Sequence, residues 1–234
     1  MSRILVVGGS SGIGLAVATH AARDGHDVTV AARRSVDDLN SIELDVRDEA
    51  SVARAFEGVQ AVDAVLYAAG VAHLAALEDH SADEWRATLE TNLVGAALVA
   101  KHAVPLLAKS NGVMLFCSST TDGEHRWGLG SYGVSKAALN RLVEGLRAEH
   151  LDVRFVRATI GPTIGTEFAN TFDADVLNDA FTRWIKLGQH TANTMSLDGL
   201  AQVLLSLIAM LVDHPDVAMP TVHLEPPGGP FSTH

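Results

Sequence analysis

The sequence has a single cysteine, Cys117, so no disulfide can form within the chain, and a reducing cytosol is the compartment that suits it. Basic residues are scarce as well: 17 lysines and arginines face 28 carboxylates, for a formal net charge of −11. Such a surface repels phosphate backbones and anionic bilayers, which argues against nucleic acid or a membrane surface as a partner. No His/Cys/carboxylate group has metal-ligand spacing, so no metal is expected. Lone histidines such as His20 and His102 read as solvated helix residues. The most apolar later stretch, residues 197–212, is broken by Asp198, Gln202 and Ser206 and is too polar to span a bilayer. The first apolar stretch runs straight into glycines and serines, so no secretory signal is expected and the cytoplasm is the expected location.

What remains is 234 residues, 47% hydrophobic and 19% charged, enough to bury a sizeable core. Short apolar runs read as strands at residues 3–7 (RILVV), 27–32, 42–44, 62–67, 113–117 and 153–159, with a last one at 221–224. Helical stretches fall between them at 15–23, 50–56, 83–108, 131–150 and 196–213, with Pro105 expected to bend or end the long one. This alternation predicts a parallel sheet covered by helices on both faces. With no repeat and no low-complexity linker, one domain spanning 1–234 is expected. Residues 162–195 break the pattern, with Phe168, Phe172, Phe181 and Trp184 among polar residues. They suit a flap over a site, or a small helical pair completing the core.

The stretch VVGGSSGIG ends the first strand and opens the first helix. A tight strand-to-helix turn needs residues without a Cβ where the chain bends and where a phosphate approaches, as Gly8, Gly12 and Gly14 allow. The helix N-terminus then offers free N–H groups to a pyrophosphate, with hydroxyls from Ser10 and Ser11. After the second strand, an NAD site would place a carboxylate for the ribose; here Ala32 is followed by Arg33 and Arg34. Guanidinium groups match a 2′-phosphate in charge and geometry, so NADP(H) is the expected cofactor.

In SYGVSKAAL, Tyr132 and Lys136 stand four apart, on one face of a helix. With the glycine turn and the two arginines, this pair makes the chain resemble the short-chain dehydrogenase/reductase family nearly end to end. The resemblance implies a doubly wound, Rossmann-type α/β fold and adds Asn92 and Ser119, the latter thirteen positions before Tyr132, to a tetrad with Tyr132 and Lys136. It further implies cofactor contacts from Asp45 near the adenine, from Ile13, Val46, Ala69 and Gly70, and from Ile164 and Thr166 at the carboxamide. The implied activity is NADPH-dependent reduction of a small carbonyl substrate or oxidation of an alcohol, in a homodimer or homotetramer. Tyr132 would act as general acid or base, with its pKa lowered by Lys136. Two segments depart from the family. YAAG puts Tyr67 and Ala68 where asparagines are common, and Tyr67 reads as a core-edge residue; GPTIGT swaps the usual Pro-Gly order. These departures leave open a sensor that binds NADP(H) without turnover; an epimerase or dehydratase on the same cofactor is a second alternative. His125, Arg126 and Trp127, in the segment between Ser119 and Tyr132 that would wall the pocket, suit either contact with an acidic or aromatic substrate or exposed loop positions, and His73 either approach to the site or a surface position.

Overall fold

The computed structural model describes residues 1–189 and 193–227. Five apolar runs form strands β1 (Arg3–Val7), β2 (Asp27–Ala32), β4 (Ala64–Tyr67), β5 (Val113–Ser119) and β6 (Arg154–Ile160), with β3 (Asn40–Glu43) and β9 (Thr221–Leu224) at the edges. All pair in parallel, in the order β3-β2-β1-β4-β5-β6-β9. Period-two alternation divides each strand between two cores. Ile4, Val6, Val30, Leu66 and Leu115 pack under α1 (Gly12–Arg23) and α7 (Leu197–Asp213). Leu5, Val7, Val65, Met114 and Phe116 pack under α2 (Glu49–Glu57), α4 (Gly95–Ser110) and α5 (Gly130–Glu149). The doubly wound, single-domain reading holds. The chain order reverses between β1 and β4, and ligands of such sheets sit in the crevice beyond the strand ends at that point.

Several local expectations are corrected. The run predicted as one helix starts as α3 (Ala82–Leu89), widens into a π-type turn at Glu90–Val94, where the Gly95 N–H reaches the Glu90 carbonyl, and resumes as α4. Pro105 lies inside α4 without ending it; the stop is Asn111, left-handed at φ +47°. By length and composition this 82–110 run is apolar enough to cross a membrane, which many core helices also are. His20 and His102 are not simply solvated: His20 Nε2 lies 2.8 Å from Asp198, tying α1 to α7, and His102 stacks on Phe56. Of the predicted flap, residues 190–192 lie outside the described residues. The rest is not a helical pair but one helix, α6 (Ala174–Lys186), between two short strands, β7 (Thr163–Ile164) and β8 (Met195–Ser196), which pair in parallel.

Candidate active site

The glycine turn is held by backbone contact. Gly8, at φ +82°, sits so close to the end of β4 that a Cβ there would lie 2.4 Å from the Ala69 nitrogen, and one at Gly14 would lie 2.4 Å from the Gly8 carbonyl oxygen. Gly12 is different: at φ +51° it faces open space. Ser11 occupies the N-cap of α1 but makes no side-chain capping bond, and no acidic residue stands in the first turn. The N-terminal amides therefore keep their capacity for an anion, and the cradle fits a pyrophosphate. Ser10 and Ile13 flank the turn, half-buried.

Beyond β2 and β3, a cleft of about 540 Å³ is lined by Arg33, Arg34, Ser35, Ser41 and Glu43. Two guanidinium groups and two hydroxyls suit a phosphate monoester, although the same cleft also holds one carboxylate. Asp45 follows on the same edge. Its carboxylate takes a forked pair of bonds from Arg47, at 3.1 and 2.8 Å, which holds its pKa down at about 2. Val46 is buried against Gly95. The sequence reading missed the Arg47 fork, for which the two-residue spacing in LDVRD was the available signal.

Four residues predicted to act together are brought together. Ser119 ends β5, Tyr132 and Lys136 occupy the first two turns of α5, and Asn92 sits in the wide turn between α3 and α4. The Lys136 ammonium donates to the Cys117 carbonyl at 2.8 Å and lies 5.4 Å from the centre of the Tyr132 ring. A Cβ on Gly70 would come within 3.7 Å of that ammonium and 3.5 Å of Asn92 Oδ1, so Gly70 leaves the space between them open. Asn92 is fully buried and works as a staple. Its Oδ1 accepts from the Val71 N–H, and its amide donates to the Val71 carbonyl and the Ser135 hydroxyl, each at 2.9 Å.

Burial dominates the electrostatics of this centre. It pushes the Tyr132 phenol above its ordinary value, while a hydrogen-bonding interaction with Ser119 pulls the other way. It pulls Lys136 down to about 8 and pushes the Cys117 thiol up to about 11. The expected lowering of Tyr132 by Lys136 is thus not met: the ammonium is committed to the Cys117 carbonyl, and desolvation dominates the phenol.

Other contributors were not foreseen. Tyr67 is not at the core edge but fully buried, and its hydroxyl donates to the Thr91 carbonyl at 2.5 Å. It thereby satisfies a main-chain group in the wide turn that carries Asn92, where the family's asparagines are absent. The swapped GPTIGT loop is anchored: the Gly161 N–H donates to the Leu224 carbonyl and the Thr163 hydroxyl to Gly161. Ile164 lies exposed in β7, with Thr166 just beyond. Phe168 meets the Tyr132 ring edge-on at 5.1 Å, and Phe172, Leu74 and Trp127 pack around the same cluster as buried Trp184. Trp127 is therefore half-buried, its carbonyl accepting from Trp184 Nε1, and Arg126 is largely buried, whereas His125 is exposed. His73 is half-exposed, 3.8 Å from Glu84.

Comparison with known proteins agrees with this geometry. Residues 2–176 match the family described as short chain dehydrogenase. The 3-oxoacyl-acyl-carrier-protein reductase MabA of Mycobacterium tuberculosis is 30% identical over 188 residues, 76% of this chain and 75% of that protein. The alcohol dehydrogenase of the archaeon Thermococcus sibiricus, solved with 5-hydroxy-NADP, matches with a TM-score of 0.81 at 25% identity over 97% of each chain. The closed form of a serine dehydrogenase with NADP+ matches with a TM-score of 0.80 at 22% identity over 96% of this chain and 94% of that one, a likeness in fold alone. Glycine turn, parallel sheet, sequence profile and relatives converge, and the chain belongs to the short-chain dehydrogenase family of oxidoreductases.

Proposed function

We propose that this oxidoreductase is NADP(H)-dependent and interconverts a carbonyl and a secondary alcohol, with Tyr132 donating and accepting the proton. The observation that carries this reading is the convergence of Ser119, Tyr132, Lys136 and Asn92 beside Gly70, at the carboxyl ends of the central strands, where the glycine turn also lies. Gly8, Gly12 and Gly14 with the start of α1 would hold the pyrophosphate, and Arg33 and Arg34 the 2′-phosphate. When bound, the nicotinamide supplies or takes up the hydride.

The protein's part is the proton. Burial keeps the Tyr132 phenol protonated at neutral pH, the state a donor to a nascent alkoxide needs. The phenolate left behind is stabilised by the Ser119 hydroxyl and the nearby Lys136 charge. Phe168, Phe172, Leu74 and Trp127 make the Tyr132 surroundings apolar, which favours apolar groups flanking the carbonyl. Residues 162–195 would act as the substrate flap, and exposed Val94 and Val134 would take part in self-assembly into dimers or tetramers. The names of the relatives, a 3-oxoacyl reductase and an alcohol dehydrogenase solved with an NADP derivative, support the same class.

The test is a panel of ketones and aldehydes followed by NADPH and NADH consumption side by side. Turnover with NADPH preferred over NADH, the preference lost in Arg33→Ala and turnover falling by about 10²-fold or more in Tyr132→Phe, is the expected result. A preference for NADH would instead assign the cleft to Glu43 and a ribose hydroxyl. Tight NADPH binding without turnover would make the protein a sensor.

A further inference from the structure

We propose that Thr121 is a positioning residue that fixes the direction of the Ser119 hydroxyl proton, an inference that rests on the catalytic reading of Ser119 given above. A serine hydroxyl has one proton to give and two lone pairs to fill. Both the Thr121 N–H, at 3.3 Å, and the Thr121 hydroxyl, at 3.0 Å, meet Ser119 Oγ, and both side chains are buried. With Thr121 donating twice, the lone pairs of Ser119 are taken, and its single proton is left for the remaining neighbours: the Tyr132 oxygen and any carbonyl oxygen brought between them. In the reverse arrangement Ser119 would spend its proton on Thr121. It would then face a carbonyl with a lone pair, which repels it.

The turn that carries Thr121 is held from two sides. The adjacent Asp122 carboxylate accepts from the Asn140 amide, and Asn140 in turn accepts from the Ser118 hydroxyl at 2.7 Å, joining β5, the turn and α5. On the other side α5 presses directly on Thr121: a Cβ on Gly133 would stand 2.8 Å from its carbonyl oxygen. Thr121 is thus fixed relative to both Ser119 and the helix that carries Tyr132.

The chain has two tyrosines, and Tyr67 is committed to the Thr91 carbonyl, which makes a direct readout available. Protein labelled with carbon-13 at the tyrosine Cζ gives two signals, assigned with Tyr132→Phe. Thr121→Val removes the donor hydroxyl while keeping the shape, so Ser119 gains a free lone pair and Tyr132 donates to it. The Tyr132 signal is then expected to move toward the phenolate position, with Tyr67 unchanged, and to return in Thr121→Ser. With any ketone that the wild type reduces, kcat should fall about 10-fold in Thr121→Val at unchanged KM for NADPH, and recover in Thr121→Ser. An unmoved or oppositely moved Tyr132 signal, or a kcat that rises, overturns the proposal. If the wild type reduces nothing, the functional reading fails while the ring signal still decides the role of Thr121. Should Thr121→Val not fold, Thr121→Ala removes the same hydroxyl without the branched methyl.

Discussion

At the glycine turn the backbone itself is the binding surface, with Gly8 and Gly14 packed so closely that an added methyl would meet main-chain atoms at 2.4 Å. Around Tyr132 the contacts are made by side chains instead: Asn92 to Val71 and Ser135, Lys136 to Cys117, Thr121 to Ser119, Tyr67 to Thr91. At Gly8 and Gly14 the first region tolerates almost no added volume. The second depends on individual donors and acceptors, each with few substitutes in a buried setting. The carboxyl ends of one sheet's strands thus carry two designs, rigid by sterics on one side and by hydrogen-bond accounting on the other.

Substitutions can separate the two. The largest effect is expected for Gly14→Ala, where the new methyl meets the Gly8 carbonyl and the turn must open. NADPH affinity measured by calorimetry should fall by more than 10-fold, with a loss of stability of about 1–3 kcal/mol. An unchanged affinity would remove the steric account. Next comes Lys136, held at about 8 against an ordinary 10.5. Between those values the native chain binds fewer protons than the unfolded one, so stability rises with pH across the window, and the penalty is complete below it. Denaturant titrations of wild type and Lys136→Met should therefore differ by an amount that shifts in favour of the wild type by up to about 3 kcal/mol from pH 8 to 10.5. Contributions from Cys117 and Tyr132, common to both chains, largely cancel in that difference, and a flat difference would refute the burial of the charge.

Tyr67→Phe leaves the Thr91 carbonyl buried without its donor, at a cost of about 1–3 kcal/mol. Amide exchange should quicken first at residues 90–95; a uniform change across the sheet would mean that the phenol does not brace the wide turn. The smallest effect belongs to the surface. Asp198→Ala removes the carboxylate that meets both His20 and Gln202, and with Asp198 exposed the loss should stay under about 1 kcal/mol in thermal melts.

The sequence made the sheet legible because its central strands are continuous apolar runs, a pattern that parallel strands buried on both faces produce. The glycine turn was legible for a related reason: few residues other than glycine fit where backbone meets backbone, so the constraint is written in residue identity. Hydrogen-bond networks leave no such mark. Thr121 and Tyr67 look ordinary in a linear reading, and their partners, two residues away in one case and 24 in the other, are set by how the turn and the strand end fold. The stretch after Gly161 was hardest. Its strands are only two residues long and pair across α6, too short for any periodicity to show.

The wide turn at Glu90–Val94 has a consequence for how this helix can change over evolutionary time. It accommodates one residue more than an α-helical turn of the same rise, which offsets the angular phase of everything before it by about 100° relative to everything after. Deleting a single residue there would let the helix close into regular coil geometry while swinging Asn92 out of reach of Val71. Loss and gain of one codon at this place would thus act as a rotary adjustment, turning the α3 surface independently of the α4 surface that stays on the sheet.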